Sequence, residues 1–171
     1  MTAPIWTPSE ARIRDADLTR FNAWLAERSG AVLANGGDLH RWSIANREDF
    51  WAALWDYFGV IGDKGPQPWL LGDGLLGERF FPGATLNFAE NLLGLAPGDD
   101  DAPALVFRGE DKAAFSWTWG DLKAQVSRLQ QALKAAGIGP GDRVAGLLPN
   151  RPESVAAMLA TVSLGAAWAS T

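Results

Sequence analysis

Residues 143–170 read RVAGLLPNRPESVAAMLATVSLGAAWAS, and two hydrophobic rhythms alternate within them. Arg143-Val-Ala-Gly-Leu-Leu148 is apolar with almost no polar alternation, the pattern of a parallel strand covered on both faces. Pro152 suits the first position of a helix, and Glu153 complements the positive end of its dipole. Val155, Met158, Leu159 and Val162 then recur at the helical period, and Gly165 ends the run. Ala166–Ser170 predicts a second strand. Strand, helix and strand within about 30 residues make a βαβ unit, whose strands should be parallel and its crossover right-handed. Two parallel strands leave their faces uncovered, so a larger sheet is expected and the chain is read as a fragment of a longer protein.

The segment before this unit predicts a hairpin and a helix. Ala104–Phe107 and Ala114–Trp117 are strand-like, joined by the polar stretch 108–112. Thr118 then starts a helix, with Asp121 at the third position of a capping box. Leu122, Val126, Leu129, Leu133 and Ala136 supply its apolar stripe, and Gly137 its C-terminal cap. Gly137-Ile-Gly-Pro-Gly141 is not a dinucleotide fingerprint: those glycines close a helix and precede a strand, the reverse of the order that brings a helix N-terminus to a pyrophosphate. Pro140-Gly141 fits a type II turn.

The first half has a different texture. Asp17 is placed to cap a helix carrying Leu18, Phe21, Trp24 and Leu25, with Gly30 as its stop. Asn46 and Asp49 resemble a capping box for the next helix. There Phe50, Trp51, Leu54, Trp55, Tyr57 and Phe58 give an apolar face wider than a surface helix needs, so clamping from two sides is expected, by its own domain and by something else. Residues 59–84 are rich in Gly and Pro but too apolar for a free linker, and predict a long ordered loop. Thr85–Leu93 predicts a short helix ended by Gly94, on which Asn87 and Asn91 share a face and are read as tying loop backbone. The acidic turn 97–103 is the best boundary, giving an N-terminal extension over residues 1–98 and the start of a second domain over 99–171.

Composition narrows the function classes. The 171 residues are 47% hydrophobic and 20% charged, a globular balance. Acidic residues outnumber basic ones 20 to 15 with no basic patch, which argues against a nucleic-acid partner. There is no cysteine and one histidine, His40, so thiolate sites, disulfides and two-imidazole metal sites are excluded, and no metal site or catalytic residue is assigned. Asp99-Asp100-Asp101 lacks calcium-loop spacing and reads as a solvated turn. The N-terminus has no signal-peptide pattern, which gives a cytoplasmic expectation. Residues 155–171 are too short and alanine-rich for a membrane span, which needs about 20 apolar residues. Nine tryptophans, six of them before residue 100, are read as packing residues. In open parallel sheets ligands sit beyond the carboxyl ends of the strands, which here bear Asn150, Ser170 and Thr171. Those three residues are the candidate cleft-lining positions.

Several segments together resemble the acyl-adenylate-forming enzymes, the family of acyl-CoA synthetases, luciferases and peptide-synthetase adenylation domains. They are Thr118-Trp-Gly-Asp-Leu122 and the run from Gly137 through Pro149-Asn-Arg-Pro-Glu153 to Leu164-Gly-Ala-Ala-Trp168. Upstream, Asp49-Phe-Trp-Ala-Ala-Leu-Trp55 and Phe81-Pro-Gly-Ala-Thr-Leu-Asn-Phe-Ala-Glu-Asn-Leu-Leu93 are similar to the N-terminal extension of the acetyl-CoA synthetase branch. That second motif and Arg41-Trp-Ser-Ile-Ala-Asn46 take the form of its acetoacetyl-CoA synthetase group. The resemblance implies an α/β fold: an N-terminal helical extension followed by the start of a large mixed α/β domain. It implies a ligase in which a carboxylate and Mg-ATP form an acyl-adenylate, and coenzyme A then displaces AMP. The family's phosphate loop and its catalytic lysine have no match in this chain, so the expected partners are small-molecule substrates and the remainder of the chain. Asn150, Ser170 and Thr171 would border the CoA cleft, and Ala169, where serine is common, is a departure. A synthetase for acetate or propionate and a stand-alone tryptophan-rich interaction module are the alternatives.

Overall fold

The computed structural model describes residues 5–74, 76–96, 98–110 and 113–170. In chain order its elements are α1 (Glu10–Arg14), α2 (Asp17–Ser29), α3 (Gly36–Ala45), α4 (Arg47–Tyr57), β1 (Gly62–Asp63), β2 (Leu70–Leu71), β3 (Arg79–Phe80), β4 (Thr85–Leu86), α5 (Phe88–Gly94), β5 (Pro103–Arg108), β6 (Ala114–Thr118), α6 (Trp119–Ala135), β7 (Arg143–Gly146), α7 (Pro152–Ser163) and β8 (Ala167–Ser170). They form two compact units. The first is residues up to Val60 with Lys64–Ala84, and the second is Ile61–Asp63 with the chain from Thr85 onward.

In the first unit Phe21 and Leu25 of α2 and Leu39 of α3 are buried, with Trp24, Leu33, Trp42, Phe50, Leu54 and Tyr57 packed around them. Phe21 meets Tyr57 edge-on at 5.0 Å and Phe50 at 6.2 Å, which seats one side of α4. The loop after α4 seats the other: Trp55 lies 5.2 Å from Phe81 and Trp51 lies 5.8 Å from Phe80. The expected second clamp on α4 is thus supplied by its own unit. Glu48 Oε1 accepts the Trp69 amide at 2.6 Å, and the Trp69 indole donates to the Gly65 carbonyl at 3.0 Å. These bonds order the loop, as does the antiparallel pair β2–β3. Phe81 sits at φ 47°, a costly conformation for a bulky residue, held between the rings of Trp55 and Trp69.

Two helix starts differ from expectation here. Ala16 is the N-cap of α2, with no side-chain cap, and Asp17 is its first helical residue. Asn46 occupies the N-cap of α4 but makes no cap bond: α3 ends on the same residue, and its amide donates back to the Trp42 carbonyl at 3.1 Å. One side chain cannot serve both helices.

The second unit has its own core, built from Ala89 of α5, Leu122 and Val126 of α6, and Ala156, Leu159 and Ala160 of α7. β5 and β6 form the expected antiparallel hairpin, in which Phe107 faces Phe115. Thr118 and Asp121 complete the capping box of α6: Asp121 N–H donates to Thr118 Oγ1 at 3.1 Å and Thr118 N–H to Asp121 Oδ2 at 3.0 Å. Gly137 follows the helix at φ 84°. Thr85–Leu86 is not helical; it pairs as β4 with β1, and α5 starts at Phe88 with Asn87 as its cap. β7 and β8 are parallel, as the βαβ pattern predicts, in the register Arg143↔Ala167 to Gly146↔Ser170. Leu147 and Leu148, expected within the strand, lie past the last pair of that ladder and are exposed.

Candidate functional site

The carboxyl ends of β7 and β8 fall on one edge because the strands run parallel. Two turns place them. At the entrance to β7, Asp142 N–H donates to the Gly139 carbonyl at 3.1 Å across Pro140-Gly141, and Gly141 has φ 90°, which is the type II geometry that requires glycine. Asp142 also opens the parallel ladder by accepting the Ala167 amide at 2.8 Å. At the exit, Pro149 is an anchor: its carbonyl accepts Arg151 N–H at 2.8 Å and Ser154 Oγ–H at 2.6 Å. Pro152 is buried in the first turn of α7, where its missing N–H costs nothing.

Between these anchors, Asn150 is exposed and lines an open groove of about 260 Å³ together with Val106, Phe107, Arg151, Pro152 and Val155. Arg151 sits at the N-cap position of α7, and its side chain makes no cap bond. Its guanidinium donates from Nε to Glu153 Oε2 and from Nη2 to Oε1, both at 3.1 Å. The guanidinium carbon lies 5.4 Å from the Phe107 ring centroid and 5.5 Å from that of Phe115, and the two rings are 5.2 Å apart. The bond from Arg151 holds the Glu153 carboxyl below its ordinary range, helped by a main-chain hydrogen bond, and the same pair holds Arg151 above its own. Ser170 is exposed at the end of β8. Thr171 lies outside the described residues. Gly146 ends β7 beneath the Trp168 indole, so closely that a Cβ there would collide with the ring.

Sequence reasoning locates this edge but misses Arg151, Phe107 and Phe115 as a group. The Arg151–Glu153 charge pair is visible in the chain; the rings that stack on it come from a hairpin some forty residues upstream, and only the register of that hairpin reveals them.

The other polar residues singled out in the sequence lie as follows. Asn91 exchanges two hydrogen bonds with Ile61 and so ties loop backbone as expected, whereas Asn87, the N-cap of α5, donates from Nδ2 to the Val162 carbonyl within α7 at 2.8 Å. His40 is exposed on α3. Asp99 caps the amide of Asp101 at 3.0 Å, and Asp100 pairs with Lys123 at 2.6 Å. Among the described residues no group of three His, Cys, Asp or Glu side chains is placed to hold a metal ion.

Comparison with known proteins agrees with this architecture. The family model described as AMP-binding enzyme matches residues 96–170, from just before the hairpin to the end of β8. The acetoacetyl-coenzyme A synthetase of Rhizobium meliloti is 48% identical over 98% of this chain and 25% of its own length. The solved acetoacetyl-CoA synthetase of Streptomyces lividans superposes with a TM-score of 0.86 at 41% identity, over 99% of this chain and 26% of that one. In sequence and in fold the chain is similar to the N-terminal part of acyl-adenylate-forming CoA synthetases. It spans about a quarter of the length of the curated relatives it matches, and corresponds to their N-terminal quarter. A malonamoyl-CoA synthetase of Penicillium aethiopicum is also 39% identical, over 83% of this chain and 20% of its own. No described helix is long and apolar enough to cross a membrane.

Proposed function

We propose that this chain is the N-terminal part of a cytoplasmic acid–thiol ligase that activates acetoacetate with Mg-ATP and passes the acyl group from the adenylate to coenzyme A. The observation that carries this reading is the 48% identity to an acetoacetyl-coenzyme A synthetase along 98% of the chain, which includes the extension as well as the AMP-binding segment. In this reading residues 1–98 are the extension and 99–171 begin the adenylate-forming domain; the start of the family match at residue 96 supports that division.

The residues present fit one part of this chemistry. Asn150 and Ser170 offer neutral amide and hydroxyl groups at a strand edge, which suit the amides of the pantetheine arm. The Arg151 charge is already engaged by Glu153, so it is a poor seat for a phosphate. We therefore assign Asn150, Ser170 and Thr171 to the border of the CoA cleft. Among the described residues no group of three His, Cys, Asp or Glu is placed for a metal ion, and we assign the binding of ATP phosphates and Mg²⁺ to the remainder of the protein. Electrostatic stabilisation of the transferring group is usually the largest catalytic term, so this chain alone should be inactive.

The test supplies the intact protein from its source with acetoacetate, ATP, Mg²⁺ and CoA. Acetoacetyl-CoA, AMP and pyrophosphate are expected, and the 171-residue chain alone should release no pyrophosphate above background. Turnover by the chain alone overturns the assignment of catalysis to the remainder. Preference for another short acid in a side-by-side panel (acetate, propionate, malonamate) supports the second reading, which the similarity to a malonamoyl-CoA synthetase favours.

A further inference from the structure

We infer that Arg151 is a positioning residue for the thiol-transfer half of the proposed reaction, acting by clipping the Asn150 loop to the β5–β6 hairpin. The inference rests on the reading that this edge borders the CoA cleft.

The loop from Leu147 to Asn150 has no ladder partner, and both of its leucines are exposed, Leu147 at 85% and Leu148 at 43%. It leaves the β7 ladder at Gly146 and is next tied at Pro149. Pro149 is tied to the first turn of α7 by Arg151 N–H and Ser154 Oγ, but these bonds join the loop to its own helix. The Arg151 side chain reaches elsewhere. Its planar guanidinium stands over two rings that face each other across the hairpin, within the distance at which ring quadrupoles attract a cation. Glu153 holds two of its five N–H donors in a fork, which fixes the plane of the group against the rings. Arg151 makes no cap bond, and α7 keeps its buried Pro152 start, so the side chain is not needed to begin the helix. What it does is couple the residue next to Asn150 to the hairpin wall of the groove. A ligand group at Asn150 would meet a fixed amide while the clip is closed and a wandering one when it is open. Lysine is not an equivalent, since it has neither the fork nor the plane.

The experiment uses the intact enzyme and separates its two half-reactions. Acetoacetate-dependent exchange of pyrophosphate into ATP, run without CoA, reads adenylation; acetoacetyl-CoA formation over a CoA titration reads transfer. Misplacement of a positioning group by about 1 Å costs up to about 100-fold. With the Pro149 anchor retained, Arg151→Ala should raise the KM for CoA about tenfold and leave exchange within about twofold of wild type. Phe107→Leu with Phe115→Leu should do the same, Arg151→Lys should fail to rescue, and Phe115→Tyr, which keeps the ring face, should match wild type. If Arg151→Ala does not fold, the contrast between the leucine pair and Phe115→Tyr decides. Equal loss in both half-reactions, an unchanged KM in a folded variant, or full rescue by lysine overturns the inference. Wild-type enzyme that shows no acid-dependent exchange overturns the underlying ligase reading, and the positioning role falls with it.

Discussion

Asn91 holds residue 61 to helix α5 through a two-way clasp whose removal has a calculable cost. Its Nδ2 donates to the Ile61 carbonyl at 2.8 Å and to the Asn87 carbonyl at 2.9 Å, and its Oδ1 accepts the Ile61 amide at 2.8 Å. Asn91→Ala removes all three. At about 0.5–1.5 kcal/mol net per bond the loss is ~3 kcal/mol. About 1 kcal/mol returns as side-chain entropy no longer lost on folding. A net destabilisation of ~2 kcal/mol is expected, independent of pH. Asn91→Asp keeps the shape and the acceptor for Ile61 N–H, but sets carboxylate oxygen against two carbonyls. The folded state then disfavours the charge, so the folded pKa of the new carboxyl lies above its unfolded value of about 3.9. The sign follows: the side chain's contribution is present below about pH 4 and is lost as pH rises through the folded pKa. The aspartate variant should therefore approach wild type in acid and diverge from it toward pH 7. Urea unfolding followed by tryptophan fluorescence at several pH values measures both variants. Hydrogen exchange at the Ile61 amide, at least about 30-fold faster in the alanine variant, reads the clasp itself. A pH-independent deficit for aspartate, or unaltered Ile61 exchange in the alanine variant, refutes the reasoning.

Leu159 is fully buried among Leu122, Val126 and three alanines, so Leu159→Ala should lower the unfolding free energy by ~2–5 kcal/mol, measured by chemical denaturation. Glu153 has its pKa lowered in the folded state, chiefly by Arg151, so its stabilising contribution is present above an unfolded value of about 4.3 and lost as pH falls through the folded pKa. Glu153→Gln should accordingly cost a little stability at pH 7, with the difference closing in acid; a deficit that grows on acidification contradicts the pairing. Gly146→Ala forces a Cβ against the Trp168 indole, and a changed near-ultraviolet circular dichroism band with unchanged helix content is the expected result.

What was legible in the sequence was local. The α6 capping box, the Pro140-Gly141 turn and the Pro152 helix start each rest on residues no more than three positions apart, so pattern and structure coincide there. The failures are equally specific. Thr85-Leu86 continues smoothly into a helical pattern, yet its backbone bonds go to Gly62 and Asp63, more than twenty residues earlier. Asn46 has good cap chemistry, but two helices meet on it and its amide serves the first. The width of the α4 apolar face announces two partners without naming either, because aromatic pairs such as Trp55–Phe81 leave no periodic trace. The candidate site divides along the same line. Its position follows from topology alone, since any parallel pair opens its crevice at the carboxyl ends. Its mechanics depend on which residue of α7 reaches which rung of a hairpin, and that is set by register: moving the β5–β6 pairing by one residue would put Phe107 and Phe115 on opposite faces and break the pair of rings that Arg151 stands over. A variant that shifts this register without touching Arg151 should therefore reproduce the Arg151→Ala phenotype, which separates the clip from any role of the charge by itself.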